Sequence, residues 1–233
     1  MNILITGCAG FIGFHLCAAL LKKNINVHGV DNINHYYSPK LKKLRLSLLK
    51  KEKNFKFSKL DISDYSQLEK VFKTQKFNII INLAAQAGVR YSVINPREYV
   101  QSNILGFYNI LELSRINKIK KIFYASSSSV YGDHKKFPLK ENEKLIPKNI
   151  YSFSKKNNED IAKIYEETYG INLVGLRFFT VYGEWGRPDM LMMKYMMAKK
   201  NNKSFVLNHK GNHYRDFTYI EDVTSLLTKL IFS

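Results

Sequence analysis

The sequence predicts an α/β fold: a doubly wound parallel sheet followed by a smaller, incomplete C-terminal unit. Three observations predict it. Short apolar runs alternate with longer segments of helical periodicity as far as Phe179, the pattern of βαβ units and of a parallel sheet covered on both faces. A glycine turn, Gly7, Gly10 and Gly13, separates the first run from the first helix. With 233 residues, 45% of them hydrophobic and five prolines, the chain can bury one large core and has little room for a linker.

Taken in order, Ile3 to Thr6 reads as the first strand and Phe11 to Lys23 as the first helix. Asn26 to Val30 is a second strand that ends at Asp31. Between Lys40 and Lys59 the chain is strongly basic, yet Leu41, Leu44, Leu48 and Leu49 recur at helical spacing. That predicts a short amphipathic helix with the lysines on its wet face. A third strand, Phe55 to Leu60, ends at Asp61, and a fourth runs from Asn78 to Leu83. A helix from Pro96 to Asn117 leads to a fifth strand, Lys120 to Ala125. Another helix, Ile150 to Tyr169, leads to a sixth strand, Leu173 to Phe178. Beyond Phe179 the pattern loosens into a methionine-rich helix (Met190 to Lys200), a short strand (Ser204 to Leu207), a basic and aromatic turn (His213 to Tyr219) and a last helix. Residues 1–179 therefore form one unit, and residues 180–233 begin a second.

Composition narrows the function classes. Lys and Arg outnumber Asp and Glu by 37 to 19, for a formal charge of +18, so an anionic partner is worth considering. Lysine, asparagine and isoleucine are abundant throughout, however, and the charge reads as a chain-wide bias with no nucleic-acid partner expected. Residues Asn2 to Leu21 carry no formal charge, but the glycines, Asn2 and His15 divide them into strand, turn and helix, so no membrane span is expected. The two cysteines, Cys8 and Cys17, fit neither a disulfide framework nor a metal-ligand spacing. Reduced thiols in the cytoplasm and no bound metal are the expectation.

The chemistry is carried by two constellations. Gly7, Gly10 and Gly13 stand where a turn must be tight and a backbone must approach a pyrophosphate at a helix N-terminus. Asp31, eighteen residues after Gly13 and at the end of the second strand, can accept hydrogen bonds from both hydroxyls of an adenosine ribose. The same charge repels a 2′-phosphate, so the cofactor is expected to be NAD, in a Rossmann-type fold. Asp61 and Ile62, at the third strand end, would lie beside the adenine; an Asp capping the next helix is the other reading. In the second constellation, Tyr151 and Lys155 share one face of a helix, and Ser126 to Ser129 end the strand before it. A phenol of pKa about 10 becomes a base near neutrality only beside positive charge, which Lys155 and an oxidised nicotinamide supply.

With these residues in view, the chain resembles the extended short-chain dehydrogenase/reductases, within the nucleotide-sugar epimerases and dehydratases, and most of all the UDP-glucuronate 4-epimerases. The resemblance rests on the Gly7–Gly13 turn, Asp31-Asn32, the run from Leu83 to Ser92, the run from Ser126 to Gly132, Tyr151 with Lys155, the run from Arg177 to Gly183, the run from Trp185 to Met190, and that from Arg215 to Tyr219. It implies that Ser127, Tyr151 and Lys155 form the catalytic triad. It implies that Gly7, Gly10, Phe11, Ile12, Gly13, Asp31, Asn32, Asp61, Ile62, Leu83, Ala84, Ala85, Gln86, Asn103, Phe179 and the triad's Tyr151 and Lys155 hold NAD. For a UDP-sugar substrate it implies Arg90, Ser127, Ser128, Ser129, Tyr151, Thr180, Arg187 and Arg215. Dehydratases carry an Asp-Glu pair where this chain has Ser128 and Ser129, and a pairing of Thr180 and Arg187 with a substrate carboxylate suits a uronate better than a neutral hexose.

The reaction implied is transient oxidation at C4, with Tyr151 taking the hydroxyl proton, and return of hydride to the opposite face. The neighbouring outcomes are decarboxylation of the same β-keto acid to UDP-xylose and epimerisation of UDP-glucose. Rivals from another class are a non-catalytic NAD- or RNA-binding relative and an inactive fragment, and Tyr151 with Lys155 argues for the enzyme. Members of the family usually continue well past the helix in which this chain stops, so the smaller unit is expected to be partial. The helices Pro96–Asn117 and Ile150–Tyr169 resemble those that pair in family dimers, which makes a homodimer the expected assembly.

Overall fold

Six parallel strands in the order β3-β2-β1-β4-β5-β6 form the main sheet of the computed structural model, which describes residues 1–134, 137–207, 211 and 215–233. They are β1 (Asn2–Thr6), β2 (Asn26–Asp31), β3 (Phe55–Lys59), β4 (Ile79–Asn82), β5 (Lys121–Ser127) and β6 (Asn172–Phe178). The central strand β1 is flanked on both edges, with Ile5 opposite Gly29 of β2 and Ile81 of β4. It is also covered on both faces, and Ile3, Leu4 and Ile5 are wholly buried, which is why it reads as an unbroken apolar run rather than an alternating one. Ile3 and Ile5 point into one core layer and Leu4 into the other, as the period of two in a strand requires.

The first layer contains α1 (Phe11–Leu21), α2 (Pro39–Leu49) and α9 (Ile220–Phe232); the second contains α3 (Tyr65–Thr74), α6 (Gly106–Ile116) and α7 (Ile150–Tyr169). Helix α7 has the expected limits for a local reason. Asn149 accepts a hydrogen bond from the Ser152 N–H at 2.9 Å in a reciprocal capping box, and Gly170 closes the other end in the left-handed region at φ 61°, the conformation glycine adopts without strain.

Three expectations are corrected. The predicted single helix from Pro96 to Asn117 is α5 (Pro96–Tyr99), a π-helical segment (Val100–Leu105) and then α6, preceded by a separate short α4 (Val89–Ile94). The π-helical segment places buried Asn103 beside Gln86, in the segment that follows β4. Residues 204–207 form no strand. Helix α2 is rotated relative to its leucine pattern: Lys42, Arg45, Leu46 and Leu49 are buried, while Leu44 is 54% exposed and Leu48 sits at the surface. The polar partners that capture Lys42 and Arg45, described below, outweigh the transfer of two leucines to the core.

In the smaller unit, β7 (Thr180–Tyr182) pairs in parallel with β8 (Phe217–Tyr219), so part of the predicted basic and aromatic turn is a strand. His213 and Tyr214 of that turn lie outside the described residues. Helix α8 (Leu191–Lys200) buries no residue. Helix α9 returns to the large sheet, seating Ile220, Val223, Leu227 and Ile231 in the core layer of α1. Among the described residues no helix is long and apolar enough to cross a membrane.

Candidate active site

A cavity of about 880 Å³ opens at the C-terminal ends of the strands, between β1 and β4, where the strand order reverses, the switch point at which open α/β sheets bind ligands. The first turn after β1 forms its floor. The Gly7 N–H donates to the Val30 carbonyl at 2.7 Å with φ 70°, and a Cβ there would come within 2.7 Å of the Ala84 nitrogen. A Cβ on Gly13 would sit 2.1 Å from the Gly7 oxygen. Both glycines are thus required by packing. Gly10 caps α1 without a side-chain hydrogen bond and the first turn holds no acid, so the helix N-terminus is left open to an anion.

Asp31 ends β2 and is buried. Its Oδ2 accepts from the Ala9 N–H at 3.1 Å and its Oδ1 from the Ile33 N–H at 2.8 Å. Burial raises its pKa above the ordinary carboxylate value, against those N–H groups and the charges of Lys42 and Arg45. Asp61 lines the same end of the cavity. It accepts from the Asn32 amide at 2.7 Å and from the Ser63 N–H at 2.9 Å. The cap of α3 is Asp64, which accepts from the Gln67 N–H at 3.0 Å, so Asp61 belongs to the cavity wall.

Two cations of the basic run, which the leucine pattern places on the wet face of α2, act on Asp31 instead. Lys42 donates to the Asn34 side-chain oxygen at 2.6 Å and to its carbonyl at 3.0 Å. Arg45 is fully buried, and its guanidinium donates to the carbonyls of Ala9 at 2.9 Å and Gly186 at 3.3 Å, to the Tyr37 hydroxyl at 2.8 Å and to the Trp185 carbonyl. One side chain therefore ties the glycine turn to the loop after β7. No local spacing announces such a link, because its two ends are 140 or more residues apart in sequence.

At the other end of the cavity, β5 finishes in Ser126 and Ser127 and continues into a 3-10 turn, Ser128–Tyr131. The Ser127 hydroxyl accepts from the Ser129 N–H at 3.2 Å. Tyr151 and Lys155 enter from α7. The Lys155 ammonium is buried and donates to the Ala125 carbonyl at 2.8 Å, and burial pushes its pKa down to about 8. At neutral pH it remains mostly protonated. The Tyr151 ring packs edge-on against Tyr99, centroids 6.0 Å apart, and Tyr99 is held by donating to the carbonyls of Ala87 and Gly88 at 2.8 and 2.6 Å. One turn beyond Lys155, Glu159 takes the Ser126 hydroxyl and an ion pair from Arg177 at 2.7 Å. The spacing Tyr151, Lys155, Glu159 on one helix face was a legible signal for this third member.

The cavity brings together nearly all the residues singled out in the sequence: the Gly7–Gly13 turn with Phe11 and Ile12, Asp31, Asn32, Asp61, Ile62, Leu83 to Gln86, Arg90, Ser127 to Ser129, Tyr151, Lys155, Phe179, Thr180 and Arg187. Two stand apart. Asn103 lies one layer behind the wall, accepting from the Gln86 N–H at 2.7 Å and donating to the Gln86 carbonyl at 3.1 Å and the Ser154 hydroxyl at 2.9 Å. It holds Gln86 in place. Arg215 precedes β8 on the surface and is not part of the wall among the described residues. Arg187 forms a bidentate pair with Asp189, at 3.0 and 2.5 Å. Among the described residues no cluster of three His, Cys, Asp or Glu could hold a metal ion.

The donor set fits a dinucleotide: an open helix N-terminus behind a turn too close for side chains, and a buried acid beyond it. Comparison with known proteins agrees. The chain matches the sequence profile of the NAD dependent epimerase/dehydratase family over residues 3–232. It is 48% identical over 232 residues to Protein CapI of Staphylococcus aureus, covering 99% of this chain and 69% of that protein. It is 46% identical over 228 residues to UDP-glucuronate 4-epimerase 4 of Arabidopsis thaliana, covering 96% of this chain and 52% of the plant protein. A UDP-glucuronic acid 4-epimerase from Bacillus cereus, solved with UDP-glucuronic acid and NAD, superposes with a TM-score of 0.94 at 34% identity, over 100% of this chain and 74% of that one. The chain thus spans about half the length of the plant relative and roughly three quarters of the bacterial ones. With that match over residues 3–232, this chain belongs to the NAD-dependent epimerase/dehydratase family, with NAD as its cofactor.

Proposed function

We propose that this chain inverts C4 of UDP-glucuronate to give UDP-galacturonate through a transient 4-keto sugar. The observation that carries the reading is that a guanidinium, Arg187, and the Thr180 hydroxyl line the same cavity as Tyr151 and Lys155, beside Ser128 and Ser129. A uronate carboxylate needs a charge-assisted partner, and two serines cannot supply the acid and base that expel a C6 hydroxyl as water. The similarity to plant and Bacillus UDP-glucuronate 4-epimerases supports the same substrate.

NAD, when bound, accepts the C4 hydride and returns it. Tyr151 is the base that takes the C4 hydroxyl proton, and the Lys155 ammonium, from the same helix, lines the cavity with it. Ser127 shares the proton at the same hydroxyl. Ser128, Thr180 and Arg187 hold the carboxylate, which keeps the β-keto acid from losing CO₂. In this division of work, residues 1–179 bind NAD and residues 180–233 contribute part of the sugar-nucleotide site, with Arg215 directed at the diphosphate. The chain works as a homodimer through the faces of α6 and α7 on which Tyr108, Ile116, Phe153 and Ile164 are exposed, and sedimentation at a monomer mass would refute that.

The test is incubation of the chain with UDP-glucuronate and NAD⁺, followed by proton NMR of the sugar anomeric signals. UDP-galacturonate is the expected product. UDP-xylose would assign decarboxylation instead, and no product from a chain that binds NAD would refute the catalytic reading for these 233 residues.

A further inference from the structure

Arg187 is not alone in the cavity wall. Its Nε and Nη2 donate to the two oxygens of Asp189, at 3.0 and 2.5 Å. Asp189 Oδ2 also accepts from the Tyr36 hydroxyl at 3.0 Å, and the Arg187 guanidinium lies 5.7 Å from the centre of the Tyr36 ring. Tyr36 has nowhere else to go. Its ring packs against Tyr91 with centroids 5.0 Å apart, and its hydroxyl lies so close to Gly88 that a Cβ there would come within 2.1 Å. Gly88 itself has φ 100°, a conformation strained for any residue with a side chain.

Two physical points follow. A guanidinium has five N–H donors in a fixed plane, so a carboxylate on the Nε–Nη2 edge sets the direction of the remaining Nη1 edge. No described residue accepts from Nη1 of Arg187. Second, the Arg187–Asp189 pair is neutral as a unit and only about a quarter exposed, at 23% and 28% of the two side chains. It does not draw in anions by net charge, and what it offers is a directed pair of donors.

Resting on the reading above, we infer that Asp189, braced by Tyr36, is a positioning residue that aims the open edge of Arg187 at the substrate carboxylate and so sets the preference for a uronate over a neutral hexose. Burial pushes the Tyr36 hydroxyl up to about 12, which keeps it a donor across the working range. Burial also opposes ionisation of Asp189, but the hydrogen bonds and charge of Arg187 win and hold its pKa below the ordinary value.

The experiment titrates the NAD-loaded chain with UDP-glucuronate and with UDP-glucose, which differ only in a carboxylate against a hydroxymethyl group. Wild type is expected to prefer the uronate. Asp189→Asn should cut that preference about tenfold, the effect of one lost hydrogen bond to a charged group, while UDP-glucose affinity stays within about twofold of wild type. Tyr36→Phe, which keeps the ring and removes one donor, should cut it about fivefold. If Arg187→Ala abolishes the preference but Asp189→Asn and Tyr36→Phe retain it, the positioning role is overturned and the substrate reading stands. Equal weakening of both sugars by Asp189→Asn would make its role structural and also overturn the inference. If wild type shows no preference, the substrate reading itself fails.

Discussion

Replacing Lys155 with Met should make the protein more stable at neutral pH and catalytically dead. The buried ammonium has its pKa lowered from 10.5 to about 8 by loss of solvent. At about 1.4 kcal/mol per pKa unit, keeping the charge there opposes folding by about 3 kcal/mol near neutrality. Methionine has nearly the same shape and no charge, but it leaves the Ala125 carbonyl without its 2.8 Å partner, which costs about 1–3 kcal/mol. The variant should therefore be more stable by up to about 2 kcal/mol. The pH dependence has a definite sign. Below about 8 the lysine is charged in both states and the whole penalty is present; between about 8 and 10.5 only the unfolded chain holds the proton, so wild-type stability from this group rises with pH; above 10.5 the penalty is gone. Near pH 10.5 the wild type should then be the more stable of the two by about 1 kcal/mol.

Urea unfolding of both proteins, followed by far-ultraviolet circular dichroism at neutral pH and near the upper end of that window, measures this. The comparison must be between the two proteins, because other groups titrate in the same range. Burial pushes the thiols of Cys8 and Cys17 up, which makes the fold lose stability as pH rises, the opposite sense to Lys155. A stability difference that does not change sign with pH would refute the reasoning. So would a methionine variant already weaker than wild type at neutral pH.

Gly13→Ala should weaken NAD binding severely, because its methyl would lie 2.1 Å from a backbone oxygen, while Gly10→Ala, at 3.0 Å from the same atom, should do less; fluorescence titration with NAD gives the ranking. Asp31→Asn should lower NAD affinity about tenfold or more if Asp31 is the charged acceptor of the two ribose hydroxyls, and calorimetry with NAD and NADP checks that the preference between them narrows. The raised pKa of Asp31 further predicts that wild-type NAD affinity begins to fall on acidification before an ordinary carboxylate would protonate. Arg45→Met should destabilise the fold by about 2–4 kcal/mol, leaving the buried carbonyls of Ala9 and Gly186 without this donor, and a loss under about 1 kcal/mol by urea unfolding would contradict the clamp.

The features that the sequence by itself determined are those written in short spacings. A strand, a glycine turn and a helix follow one another within the first twenty-one residues; Asp31 stands at the next strand end; Tyr151 and Lys155 are one turn apart on a helix whose Asn149 cap and Gly170 stop are both local. Each depends on residues close in the chain, so reading them required no knowledge of what packs where. The roles of Lys42, Arg45, Asn103, Tyr36 and Asp189 could not be read this way. The leucine pattern of α2 argued for one orientation, and a face rotated from it was buried because Asn34, Tyr37 and two carbonyls of a loop beyond β7 capture its cations. Asn103 was expected to hold NAD, and a π-helical segment sets its side chain on the Gln86 backbone. Asp189 stands two residues from Arg187, but its second partner, Tyr36, is 153 positions away. Where a buried polar group points is decided by which donors and acceptors reach it, and those come from segments that only the closed sheet brings together.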